Sequence, residues 1–290
     1  ALGARDEKKA FHFIGSAAVL FLPFAFLLMA LLFILMPFIL SALQTPLEAW
    51  DDTRAYLSIC FAGIPFIVLY NMVSGFFRGM GNTRTPMVIV ALAGIMNIGL
   101  DFLLIGSYHM GAAGAAWGTF ASEGVSVVLI LLCLWKKLSP LSLRSADFSP
   151  HRPEISQILT IGVPISCQDG LIQISFLVIT AIADTRGVEA AAAVGIVEKI
   201  ISFLFLVPSA MMSTVSATTA QNMGAGKPGR GKQALGYGIS VCIAFGLFCI
   251  ALVEWKAADI VALFVPGEET VIAMGADYFH SYVIDCAIAG

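Results

Sequence analysis

Charge is scarce in this chain: Asp, Glu, Lys and Arg make up 12% of its 290 residues, about half the share that soluble domains carry. With 59% hydrophobic residues and a mean hydropathy of +0.90, too few charges remain to solvate a surface of this size. A soluble globular domain is thereby excluded. Paired cysteines are lacking too. Cys60, Cys133, Cys167, Cys242, Cys249 and Cys286 are scattered through mostly apolar stretches with no Cys-x-x-Cys pair, a pattern of small buried residues rather than of a metal or disulfide framework. Neither His-Glu-x-x-His nor Gly-x-Ser-x-Gly occurs, and His12, His109, His151 and His280 fall near the ends of apolar segments, which argues against a membrane enzyme. A net charge of -3 gives no reason to expect nucleic acid as a partner, and no cofactor is expected.

What the chain has in abundance is apolar runs of about 20 residues, long enough to cross a hydrocarbon core of about 30 Å as helices. Eight are expected, near 14–40, 54–77, 86–106, 112–135, 157–182, 190–216, 233–253 and 270 to the end. The implied fold class is an all-α polytopic membrane protein. Alternate connections differ sharply in charge. One set holds twelve of the sixteen basic residues: Arg5, Lys8, Lys9, Arg78, Arg84, Lys136, Lys137, Arg144, Arg152, Lys227, Arg230 and Lys232. The other holds only Arg54 and Arg186, with Glu48, Asp51, Asp52, Asp184, Glu189, Glu268 and Glu269. The basic set, and with it residue 1, is expected on the cytoplasmic side of a cell membrane. The connection 136–156, rich in Pro, Ser and basic residues, reads as a cytoplasmic linker between four spans in 1–135 and four in 157–290, the last incomplete.

Two stretches echo each other. ALGARDEKKA at 1–10, followed by an apolar helix, Pro46, Glu48 and Tyr56, is matched by NMGAGKPGRGKQA at 222–234, another apolar helix, Pro266, Glu268 and Tyr278. An inverted or parallel repeat of this kind is how many transporters are built. In this register two helices are expected before residue 1 and two or more after residue 290, so that the chain reads as a piece of a longer protein.

Three strings then carry a family resemblance. GFFRGMGNTRTP at 75–86, NIGLD at 97–101 and GAAGAAWGT at 111–119 resemble the first lobe of the multidrug and toxic compound extrusion (MATE) transporters, and AQNMGAGKPGR at 220–230 resembles the matching turn of their second lobe in bacterial form. The resemblance places this chain at helices three to ten of twelve, in two pseudo-symmetric lobes. It implies an antiporter that exports amphipathic, often cationic organic compounds by alternating access, coupled to Na⁺ or H⁺ entry. It also implies a central coupling Asp on the family's first helix, which this chain does not include.

Ionisable groups within spans are the functional candidates, because each costs several kcal/mol in hydrocarbon unless it faces protein or water. Asp101 lies about 15 residues into its helix, and Asn97, one turn below, shares its face. An amide beside a carboxylate suits a hard cation such as Na⁺ or a tuned proton site; the pair could equally be interhelical hydrogen-bond glue. The resemblance completes this cation site with Thr119 and puts Ser74 where family members commonly have Asn. Glu123, where relatives often have Gln, either lines the same cavity or forms a protonated hydrogen bond to a neighbour. Asp169, with Gln168 and Gln173, offers a negative wall for a cationic compound. The Na⁺-coupled branch has a Glu one turn further on, where this chain has Ile172. Glu198 is expected to face the lobe interior, whereas Glu254 and Lys256 around Trp255 suit an interfacial belt. Met72, Met80, Met87, Met96, Met211 and Met212 fit either an adaptable binding surface or plain packing.

The expected partners are small amphipathic substrates and the lipid bilayer, with the protein monomeric. One rival is a lipid-linked saccharide flippase of the same wider superfamily, which would hold a pyrophosphate with several basic residues. Lys199 is the only basic residue deep in a span, so cation export is favoured.

Overall fold

A computed structural model describes the backbone of residues 7–42, 46–138 and 150–285, and the side chains of all of these except 7–11, 42, 47 and 138. Residues 1–6 of the repeat's first copy, 139–149 of the linker and Cys286 lie outside the described residues. Among the described residues nine α-helices follow one another: α1 (Glu7–Ala42), α2 (Trp50–Gly79), α3 (Arg84–Asp101), α4 (Gly111–Leu138), α5 (Arg152–Thr185), α6 (Val188–Leu204), α7 (Leu206–Gly224), α8 (Pro228–Ala262) and α9 (Glu269–Val283). Their apolar residues recur all round each helix rather than on one stripe, so large side chains point outward: Ile34 is 75% exposed, Phe38 72% and Trp135 69%. Water could not tolerate that surface, and lipid requires it. Among the described residues seven segments are long and apolar enough to span, with α6 and α7 counting as one. The eighth expected segment contains α9, whose 15 residues reach about 22 Å, short of a hydrocarbon core.

The α6–α7 break has a local cause. Pro208 has no N–H to give to Leu204, and its ring crowds that carbonyl, so the helix loosens at Phe205. Pro23, Pro37, Pro65 and Pro164 are instead accommodated inside continuous helices.

The chain divides into two compact units, Ala1–Leu159 and Thr160–Gly290. In the first, α2 is central and packs on α1 and α4, while α3 lies on α4. Val73, Phe77, Ile89 and Ile130 form its core between α2, α3 and α4. The start of α5 also belongs here. The His151 N–H donates to Ser16 Oγ of α1 at 3.0 Å, the His12 and His151 rings stand 4.0 Å apart, and Glu154 is buried beside them in sequence. In the second unit α8 packs on α7 and α9, and α9 on α6, around Val197, Val253, Val261, Phe279 and Val283. The rest of α5 touches these helices sparingly, through Phe176 against Tyr282 and Thr180 against Glu198.

Candidate functional site

Small residues decide where helices of the first unit meet. Along α4, Gly114, Gly118, Ser122 and Ser126 repeat every four residues and are all buried, giving α4 a flat face that lets α2 and α3 approach closely. Gly118 matters most. A Cβ there would stand 2.5 Å from Asp101 Oδ1 and 3.4 Å from Asn97 Nδ2, so its missing side chain is the space that Asp101 occupies. Asn97 Nδ2 donates to Thr119 Oγ1 at 3.4 Å. Asp101, Asn97 and Thr119, which the sequence reading groups, are thus brought together across the α3–α4 seam.

Asp101 Oδ1 is buried and has no hydrogen-bond partner among the described residues. A bare buried carboxylate oxygen is costly, and a carboxylate, an amide and a hydroxyl side by side supply hard oxygen ligands that a proton or small cation would satisfy. Immediately after Asp101 the helix widens into a π-helical segment, Phe102–Ser107, with the Tyr108 N–H bonded to Leu103 O five residues back. Such segments occur often at functional sites.

Below this seam a cleft of about 420 Å³ opens between α2, α3 and α4. Phe66, Tyr70 and Asn71 of α2 line one side, Gly94 and Asn97 of α3 another, and Thr119, Ser122, Glu123 and Ser126 of α4 the third. Ser122 and Ser126 hydroxyls donate to their own helix, to Gly118 O and Glu123 O. Tyr70 OH donates to Pro86 O at 2.8 Å and so fixes the ring at the wall. Glu123 lies in this cleft.

Ser74 does not. It is 1% exposed and accepts a 2.9 Å hydrogen bond from Arg78 Nη1, near the end of α2. Asn71, almost one turn earlier, takes the place on α2 facing the cleft, and the sequence reading passes over it. Its signal was available as a polar amide inside an apolar span.

In the second unit Gln168, Asp169 and Gln173 are exposed along α5. Glu198 of α6 accepts from Thr180 Oγ1 at 3.4 Å, and Tyr278 OH of α9 is buried without a partner among the described residues. A second cleft, about 400 Å³, runs between α7 and α8 and includes Met211 and Met212 in its lining. Lys256 pairs with Asp259 at 2.5 Å and sits 5.2 Å from the Trp255 ring, an exposed arrangement at the end of α8. Among the described residues no group of three or more His, Cys, Asp or Glu could hold a metal ion.

The dependence of the seam on Gly118 is testable. Gly118→Ala should leave folding nearly intact, because the atom in the way is the end of a side chain, yet displace the Asp101 carboxylate. Thermal stability is expected to change by ~1 kcal/mol or less, while a structure of the variant shows the Asp101 carboxylate moved away from α4. An unmoved carboxylate in a folded variant would refute this role of Gly118.

Three comparisons bear on identity. Residues 1–103 and 164–289 match the MatE family. The chain is 31% identical over 199 residues to the probable multidrug resistance protein YpnP of Bacillus subtilis (strain 168), covering 68% of this chain and 44% of that protein. It is 29% identical over 253 residues to the FAD transporter of Shewanella oneidensis, covering 86% and 55%. The chain therefore spans about half the length of these relatives. A crystal structure of MATE in the bent conformation shares the fold with a TM-score of 0.85 at 22% identity, over 99% of this chain and 63% of that one. An all-helical chain with spans, lobe motifs and a polar seam of this kind, matched over most of its length, belongs to the MatE family of membrane proteins.

Proposed function

We propose that the intact protein is a cation-coupled antiporter, exporting amphipathic and often cationic organic compounds by alternating access, with Asp101, Asn97 and Thr119 holding the coupling ion. The observation that carries this reading is the buried Asp101 oxygen, unpartnered among the described residues, beside the Asn97–Thr119 hydrogen bond and at the edge of a cleft large enough for part of a small organic molecule. Exchange follows from charge. An organic cation in the cleft and a small cation at Asp101 compete to neutralise the same low-dielectric region, so binding of one favours release of the other. Phe66, Tyr70 and the Phe66–Phe120 pair, 5.1 Å apart, supply apolar and aromatic surface for the organic part.

The relative named for multidrug resistance supports this reading, while the relative named for FAD raises an anionic alternative. Glu123 in the cleft, with no Lys or Arg in its lining, disfavours an anionic ligand there and equally disfavours a lipid pyrophosphate. Asp169, Gln168, Gln173 and Glu198 would serve the substrate path in the second unit. On this reading the protein works as a monomer in a cell membrane, with the basic connections on the cytoplasmic side. Ethidium efflux from a pump-deficient bacterium expressing the intact protein tests the reading. Efflux should accelerate under an imposed inward Na⁺ or H⁺ gradient; efflux indifferent to both would refute ion coupling.

A further inference from the structure

Asp101 has a companion in the same seam. Thr119 and Glu123 stand four residues apart on α4 just as Asn97 and Asp101 do on α3, and the two helices run antiparallel. The four side chains therefore make one polar strip. Asp101 is at the end nearer the acidic connections, the Asn97–Thr119 hydrogen bond is one turn inward, and Glu123 is a turn beyond it. Glu123 Oε2 lies against α2 at Gly63, 3.0 Å from where a Cβ would stand there. Its carboxylate has no hydrogen-bond or ion-pair partner among the described residues, and the side chain faces the cleft.

Fixed positive charge is absent from this level. Among the described side chains of α1 to α4, Arg54 sits in the second turn of α2, Arg78 at its last turn on Ser74, Arg84 at the start of α3, and Lys136 and Lys137 at the end of α4. None reaches the middle of the spans. One cation bound at Asp101 would leave the half-buried Glu123 uncompensated at the same level of the spans, where an unpaired carboxylate is itself costly.

We infer that Glu123 is a second coupling carboxylate, binding one additional monovalent cation in each transport cycle and surrendering it when an organic cation enters the cleft. The balance is simple: one positive charge, a proton from the Glu123 carboxyl or a Na⁺ from its oxygens, leaves as the substrate arrives and returns when the substrate departs. The inference rests on the antiporter reading above, and it specifies a stoichiometry that the reading leaves open.

The test uses the intact protein in liposomes, with ethidium as substrate and either H⁺ or Na⁺ as the driving ion. The ethidium gradient sustained by a set ion gradient gives the number of cations exchanged per ethidium. Glu123→Gln is expected to lower that number by one while efflux stays gradient-driven, and Glu123→Asp to restore it. An unchanged number in Glu123→Gln overturns the inference and leaves the antiporter reading standing. No gradient-driven accumulation by the wild type overturns both. Should Glu123→Gln not fold, Glu123→Ser takes its place. Cations released on ethidium binding, read by a pH dye in weak buffer or a Na⁺ electrode, must then drop by one relative to wild type; equal release overturns the inference.

Discussion

Asp101→Asn is expected to bring gradient-driven efflux close to background without weakening the fold. The substitution keeps the size and shape of the side chain but removes the charge that would hold a proton or Na⁺. Losing a charge-assisted interaction worth roughly 1.5–3 kcal/mol lowers cation affinity by about 10- to 100-fold. Stability should move the other way or not at all, because the native Oδ1 is buried without a partner among the described residues and an amide avoids the cost of a bare carboxylate there. This opposition separates two roles for the pair. Were Asp101 and Asn97 interhelical glue alone, the variant would melt earlier and still export. Ethidium efflux and thermal unfolding in detergent, measured on the same preparation, distinguish them.

Gly238→Val is expected to give the largest loss of stability, and it concerns the second unit. Gly231, Gly238 and Cys242 are buried on the face of α8 that meets α7. A Cβ at Gly238 would run into Val215 Cγ2 of α7. Val215 is β-branched and has few alternative rotamers, so the helices themselves would have to part. Overpacking of this kind costs about 1–3 kcal/mol for one added methyl, and valine adds three carbons. The cleft holding Met211 and Met212 lies along the same seam and would widen with it. Adding Val215→Ala should recover most of the loss. If Gly238→Val unfolds at the wild-type temperature, or Val215→Ala brings no recovery, the close approach of α7 and α8 does not set stability as argued.

Much of the architecture was readable from composition because a span answers to an average. Nearly any order of apolar residues over about 20 positions satisfies lipid, so hydropathy alone places the helices, and basic residues alone distinguish one set of connections from the other. The Asp101–Asn97 pair was readable for a similar reason, since a four-residue spacing within one helix fixes a shared face before any neighbour is known. The α6–α7 break was less so. Pro208 breaks its helix at Phe205 while Pro23, Pro37, Pro65 and Pro164 do not, a difference that the identity of the residue alone does not carry.

The rotation of one helix against another was the part that sequence could not settle. Ser74 and Asn71 are three residues apart on α2 and both polar, yet one is tied to Arg78 inside the packed end and the other lines the cleft. Glu123 could have faced lipid, a hydrogen-bonding neighbour or the cavity; it faces the cavity because Gly63 admits its carboxylate against α2. By itself, then, the sequence determined a helical membrane protein, the two charge classes of its connections and the shared face of Asn97 and Asp101 on α3. Tertiary structure decided which polar groups share a cleft, because that depends on glycines on one helix meeting carboxylates on another, and side chains apart in sequence find each other only once the helices are in contact.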